Sequence, residues 1–429
     1  MLDWEKYDHL IWHPYSSLVS ESPNLPVERA EGVYLYLSDG RVLIDAVSSW
    51  WVNIHGHAHP VLAEAIYKQA LSLEHVIFAG FTHKPAVELA YKLINFTACD
   101  FTKVFYSDNG STSVEIALKM AIQYWVNKGE SRTKVIALEG AFHGDTFGAM
   151  SVSGRGLFTE AFDSFLWEVD YLPFPSHDQE EKCIAQFAQL LIQKPAAIIV
   201  EPLLQGASGM RVYSPKVLNT LFAMAKEAGV LCIADEVLTG FARTGKAFAS
   251  HYITEKPDIM CLSKGLTGGT MAFGVTLANQ KVVDVFEVSD VTKILYHGHS
   301  YTANPIACSV SLASLMLLQN ETCQTQIENI SRWQFVFAEK LRKEYPMLKR
   351  VDQIGTMVAL ELDEEEGYLS SIRGELYQFF LQHHILLRPL GNVVYFLPPY
   401  VMAKAEVDRV HQVILEMLES RGNSSKHID

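Results

Sequence analysis

From about residue 100 to 305 the chain alternates short apolar runs with segments of helical period, and this alternation limits the fold more than any other feature. The runs are Lys103–Ser107, Lys134–Leu138, Ala196–Glu201, Val230–Asp235, Ile259–Leu262 and Phe273–Leu277. Helical patterns such as Ser113–Trp125 and Pro215–Ala228 lie between them. Such a rhythm predicts an α/β fold with a mostly parallel sheet covered by helices. In sheets of that kind ligands gather at the carboxyl ends of the strands.

Two of these runs end in residues that can do chemistry. Val230-Leu-Cys-Ile-Ala-Asp235 closes on an acid, and Pro257-Asp-Ile-Met-Cys-Leu-Ser-Lys264 closes on a lysine followed by Gly265-Leu-Thr-Gly-Gly269. An amine and a carboxylate at neighbouring strand ends suit pyridoxal phosphate: the amine condenses with the aldehyde, and the acid keeps the ring nitrogen protonated. Each residue also has an ordinary reading, Asp235 as a helix cap and Lys264 as a surface residue.

Other segments carry the same two-sided reading. Ser107-Asp-Asn-Gly110-Ser111-Thr112 leads from a strand into an amphipathic helix. Gly110 and Ser111 form either a phosphate cup at the helix N-terminus or a plain cap made by Ser111 or Thr112. Phe142, in Glu139-Gly-Ala-Phe-His-Gly-Asp-Thr146, is either a ring stacked on a cofactor or a core residue, and His143 and Asp145 stand beside it. Trp12 and Tyr15 in Trp12-His-Pro-Tyr15, and Trp50 and Trp51 in Ser48-Ser-Trp-Trp51, either wall a substrate pocket or fill a core or interface. His55, His57 and His59 alternate as chelating histidines do, but no Cys or His grouping at zinc spacing supports them, so no metal is expected. No GxGxxG follows a strand, which weighs against a nicotinamide or flavin site.

Composition sets the outer limits. The 429 residues suggest two or three domains. A formal net charge of -14 argues against a broad nucleic-acid-binding surface. The six cysteines are scattered and the N-terminus is too charged for a secretory leader, so a reduced, cytoplasmic protein is expected. No uncharged apolar run is long enough to cross a membrane. The C-terminal third has a long helical stretch from Asn304 to about Tyr345. Short strands at Gly355–Glu361 and Val393–Phe396 and helices near Ser370–His383 and Lys404–Glu419 follow. The predicted division is an N-terminal segment 1–50 packing with the small domain or a partner subunit, a large domain 51–315, and a small α+β domain 316–429 with a frayed polar tail from Arg421. Within the first segment, Gly32–Asp45 reads as a hairpin turning at Asp39-Gly40.

Taken together the motifs resemble the class III aminotransferases, pyridoxal phosphate enzymes of fold type I. The segments that carry the likeness are Asp108–Glu115, Phe142–Thr146, Glu201-Pro202, Ile233–Val237, Thr239–Gly245, Ser263–Gly265 and Asn304-Pro305, in the family's order over most of the chain. Within the class, Ile11–Tyr15, Ser48–Trp51, His143–Met150, Thr267–Met271 and Leu387-Arg388-Pro389 are similar to the subgroup that aminates 8-amino-7-oxononanoate in biotin biosynthesis. The resemblance implies that Lys264 holds the cofactor and shuttles protons, and that Asp235 pairs with its ring nitrogen. It implies that Gly110 and Ser111 bind the phosphate with Ser300 from a partner subunit, His299 beside it, and that Phe142 stacks on the ring. Tyr15, Trp50 and Gly298 would line the substrate pocket, and Arg388 would pair with the substrate carboxylate. A homodimer with shared active sites is implied, with S-adenosylmethionine as the usual donor and lysine in some relatives. Another ω-amino acid or ornithine aminotransferase is the nearest alternative; a pyridoxal phosphate mutase or decarboxylase, or a non-catalytic regulator, are further ones. Three positions depart from the pattern: Phe142 stands for a tyrosine, His299 for a proline and Ser300 for a threonine.

Overall fold

A computed structural model describes residues 4–19, 24–364, 367 and 370–424. The end of the polar tail, 425–429, lies outside the described residues. The centre of the molecule is a seven-stranded sheet. Its strands in chain order are β1 Phe101–Ser107, β2 Val135–Leu138, β3 Val169–Leu172, β4 Ala197–Val200, β5 Leu231–Asp235, β6 Ile259–Leu262 and β7 Gly274–Asn279. Across the sheet they run β1-β7-β6-β5-β4-β2-β3. Only β7 is antiparallel to its neighbours; the other pairings are parallel. Strands β4, β5 and β6 are buried at every position, as continuous apolar runs must be when helices cover both faces.

Six of the seven strands coincide with the apolar runs. The seventh, β3, is a short edge strand, Val-Asp-Tyr-Leu, with three half-buried positions. It offers no apolar run because only part of it faces the core.

The long helical stretch after Asn304 is two helices, Pro305–Leu318 and Glu321–Glu344. The break comes at Asn320, whose side chain accepts the N–H of Thr322 and starts the second helix. The 315/316 boundary therefore falls inside the first helix, which packs on the helices Pro60–Ser72 and Lys84–Thr97. Beyond it, Arg350–Ile354, Met357–Glu361 and Val393–Phe396 form a three-stranded antiparallel sheet. The helices Glu321–Glu344, Ile372–Gln382 and Lys404–Ser424 cover this sheet around one apolar core.

The hairpin Tyr34–Leu37 and Val42–Asp45 turns at Asp39-Gly40, where Gly40 has φ +85°. Its second strand pairs in parallel with Ile385–Leu386, so the N-terminal segment docks on the C-terminal region. The two regions also meet where Gly355 (φ +51°) approaches the Thr244-Gly245 backbone; a Cβ on Gly355 would lie 2.1 Å from the Thr244 carbonyl carbon. Backbone cannot yield there as a side chain would. Gly355→Ala is expected to destabilise the fold by about 2–3 kcal/mol, read as a lower thermal midpoint of the purified protein.

Candidate active site

Strands β5 and β6 run parallel in register, with Asp235 opposite Cys261. The two chemical residues of the sequence therefore emerge at the carboxyl ends of two adjacent central strands, Asp235 as the last residue of β5 and Lys264 two residues beyond β6. Lys264 has φ +43°, in the left-handed region that a lysine seldom adopts, and it opens the short 3₁₀ turn Lys264–Thr267. Both side chains line a cavity of about 420 Å³. Burial pulls the pKa of the Lys264 ammonium below the lysine range, against the attraction of Asp235 and Glu201.

Asp235 is buried and held at both oxygens. One lies 2.7 Å from His143 Nδ1, and the other accepts the Val237 N–H at 3.1 Å. His143 is fixed in turn, its backbone N–H donating to Ser153 Oγ at 2.8 Å. The other ring nitrogen, Nε2, is buried and finds no hydrogen-bond partner among the described residues. Glu201, just past β4, is a second buried acid in the same wall. It accepts the Phe142 and Gly206 N–H groups at 3.0 and 2.9 Å, and burial pushes its pKa above the usual carboxylate range.

The third side of the cavity is the N-terminus of helix Gly110–Asn127. The cap is Asn109, not Ser111 or Thr112: its side chain accepts the Thr112 N–H at 2.9 Å and the Thr112 hydroxyl takes the Asn109 N–H. Capping by Asn109 leaves the N–H groups of Gly110 and Ser111 at the cavity wall. The Ser111 hydroxyl meets that of Thr146 at 2.7 Å. Backbone crowds closely here: a Cβ on Gly144 would fall 2.2 Å from Ser111 Oγ, and one on Gly110 would fall 2.8 Å from the Val237 side chain. An amine, an acid and a dipole-backed pair of N–H groups on three sides of one cavity fit the aldehyde, ring nitrogen and phosphate of pyridoxal phosphate.

Aromatic rings enclose the approach. Phe142 lines the cavity with its ring 6.4 Å from Phe158. Tyr15 packs on Trp50 at 5.5 Å and on Phe158 at 5.8 Å, and its hydroxyl donates to Asp145. Trp50 is 42% exposed and lies beneath the Arg388 guanidinium, 5.1 Å from the ring centre. Among the described residues no carboxylate stands within ion-pair distance of Arg388. Trp51 is buried; Lys264 Nζ lies 4.7 Å from its ring centre and its indole N–H donates to the Tyr395 hydroxyl at 3.0 Å. Ser48, Ser49, Trp50 and Trp51 all have positive φ, from +45° to +75°. A left-handed turn of four non-glycine residues costs about 1–2 kcal/mol per residue and persists only when its surroundings fix it.

Gly298, His299 and Ser300, the last expected from a partner subunit, stand apart from this cavity within their own chain. They lie in a segment against the outer side of helix Gly110–Asn127, where Lys119 Nζ reaches the Tyr296 carbonyl and His297. His299 Nδ1 accepts the Tyr301 N–H, and its Nε2 is buried without a partner among the described residues. Two of the alternating histidines pair with protein groups: His55 meets Ser314 and His57 meets Asp45. One wall residue, Glu201, was not among the expected site residues, although it carried a signal of the same kind as Asp235, an acid at the end of a buried apolar run; Trp51, which the sequence left open between pocket wall and core, lines the cavity.

Comparison with known proteins agrees with this geometry. Residues 16–418 match the family Aminotransferase class-III. The adenosylmethionine-8-amino-7-oxononanoate aminotransferase of Synechococcus elongatus is 44% identical over 420 residues, covering 95% of this chain and 98% of the relative. The protein of the same name from Corynebacterium glutamicum is 37% identical, covering 93% and 94%. The crystal structure of that aminotransferase from Methanocaldococcus jannaschii superposes with a TM-score of 0.90 at 36% identity, covering 96% of this chain and 98% of its own. An amine transaminase from an uncultivated Pseudomonas species, solved in its PLP-bound form, superposes with a TM-score of 0.88 at 29% identity, covering 94% and 97%. The chain belongs to the class III aminotransferases and is a pyridoxal-phosphate-dependent transaminase.

Proposed function

We propose that this transaminase moves an amino group from S-adenosylmethionine to 8-amino-7-oxononanoate, giving 7,8-diaminononanoate for biotin biosynthesis. The observation that carries the reading is the Arg388 guanidinium, free of any carboxylate among the described residues and laid over Trp50. A planar, permanently charged donor of this kind suits a substrate carboxylate. The aromatic wall of Tyr15, Trp50 and Phe142 suits the aliphatic chain between that carboxylate and the reacting ketone. The names of the relatives in Synechococcus elongatus and Corynebacterium glutamicum support the same substrate.

The geometry supports the following residue roles. Bound in the cavity, pyridoxal phosphate supplies an aldehyde for the amine and a ring that takes up the electron pair released at the substrate carbon. Asp235, oriented by His143, presents a carboxylate that keeps the ring nitrogen protonated. Gly110 and Ser111 give the phosphate two N–H groups and a hydroxyl. Phe142 covers the ring face. Lys264, whose ammonium loses its proton more readily than an ordinary lysine, takes a proton from the donor carbon and returns one to the acceptor.

The segment Gly298–Ser300 fits the site when a second copy of the chain brings it there. Around it Val291, Tyr296 and Tyr301 are each more than 60% exposed, an apolar surface suited to a homodimer. Among the described residues no helix is long and apolar enough to cross a membrane. All six cysteines are free, which suits the reducing cytoplasm. Lysine is the second candidate donor, because Phe142 lacks the hydroxyl of the tyrosine usual at that position.

Given 8-amino-7-oxononanoate and either donor, the purified holoenzyme is expected to form 7,8-diaminononanoate with S-adenosylmethionine; product with lysine alone would reassign the donor, and none with either would reject the substrate. Lys264→Ala should abolish the visible absorbance of the lysine-bound cofactor and lower turnover by roughly 10³-fold or more. Arg388→Ala should raise KM for the keto acid by about 10–100-fold and affect kcat less, read from steady-state kinetics.

A further inference from the structure

A buried acid ties down the entry of the left-handed turn that carries both tryptophans of the site, beside the turn's own backbone bonds and the Ser48 hydroxyl donating to the Leu397 carbonyl. Asp45 is fully buried at the end of the hairpin strand Val42–Asp45. One carboxylate oxygen accepts the N–H groups of Val47 and Ser49, at 3.2 and 3.0 Å. The other accepts the Ser49 hydroxyl at 2.7 Å and His57 Nε2 at 2.9 Å. Three of these bonds hold the entry to the turn Ser48–Trp51, and the fourth ties the acid to His57.

His57 is itself fixed. Asn53 donates to its Nδ1 at 3.0 Å, so the ring proton sits on Nε2 and points at Asp45. Its backbone pairs with Gly32 of the hairpin in both directions, at 3.1 and 2.7 Å. Downstream, Trp50 lies under Arg388 and Trp51 under Lys264. Among the described residues the only hydrogen bonds found for Ser49 go to Asp45, so Asp45 is the side chain that directly holds this residue at its strained φ of +45°.

We propose that Asp45, backed by His57, is a positioning residue for the substrate wall: its carboxylate locks the left-handed turn and thereby sets Trp50 against Arg388 and Trp51 against Lys264. The proposal rests on the assignment of Trp50 and Arg388 to substrate binding. Asp45 touches neither substrate nor cofactor in this scheme, and it acts only through the turn.

Glycine adopts positive φ without the clash that other residues meet, and this gives a test specific to the mechanism. Asp45→Ala should raise KM for 8-amino-7-oxononanoate roughly tenfold, with a smaller fall in kcat. Adding Ser49→Gly in that background sacrifices no bond, since the Ser49 hydroxyl has already lost its acceptor. The double variant should recover KM to within about threefold of the parent enzyme. In the protein without cofactor, acrylamide quenching assigned to Trp50 by difference from Trp50→Phe should rise in Asp45→Ala and fall again in the double variant. Should Asp45→Ala fail to fold, Asp45→Asn keeps one acceptor for the backbone N–H groups and should show a smaller KM rise, equally relieved by Ser49→Gly. A KM and quenching unchanged in the single variants, or a rise that Ser49→Gly leaves in place, would overturn the proposal. If the parent enzyme does not aminate 8-amino-7-oxononanoate, the substrate reading fails by itself, and the quenching series still decides the role of Asp45.

Discussion

Everything in this molecule depends on bringing a buried amine and a buried acid to the carboxyl ends of two adjacent central strands. Neither group is stable alone in such a place: an uncompensated charge in an apolar interior is costly enough that the group changes its protonation or finds a partner. The fold supplies partners. Asp235 is hydrogen-bonded at both oxygens, and Glu201 takes two backbone N–H groups. Lys264 is drawn toward the neutral form by burial, with Arg243 adding to that pull and the two acids opposing it. A lysine balanced in this way suits a residue that must both form a bond through its nitrogen and carry a proton.

The sheet was legible because its central strands are buried on both faces and so have to be written in Ile, Val, Leu, Ala and Cys. The residues at the strand ends were legible for the same reason: an Asp or Lys after such a run stands out. Two features were not. Strand β3 sits at the sheet edge and needs no apolar run. The break between Pro305–Leu318 and Glu321–Glu344 carries no Gly or Pro; Gln319-Asn320 ends one helix and caps the next through an asparagine that also suits a helix surface.

The turn Ser48–Trp51 shows a deeper limit. Positive φ is usually announced by glycine or asparagine, yet here two serines and two tryptophans adopt it in succession. The information that fixes the turn lies elsewhere in the chain, in Asp45, in His57 and in the Leu397 carbonyl that accepts the Ser48 hydroxyl. The three histidines at 55, 57 and 59 looked like a chelating pattern for a related reason. Alternation put them on one stretch, but the fold sent His55 to Ser314 and His57 to Asp45, and spacing alone does not distinguish a metal from a hydrogen-bond partner.

The Gly110–Ser111 end of the cavity is short of positive charge. Apart from Lys264, no lysine or arginine among the described residues lines the cavity. An anion bound at Gly110 and Ser111 therefore meets only the helix dipole, two N–H groups and neutral hydroxyls from its own chain. Neutral donors hold a phosphate well only when there are several of them, converging from more than one side. One side of this chain's own cradle is closed by Gly144 and Thr146. Ser300 is exposed and lies outside the cavity of its own chain.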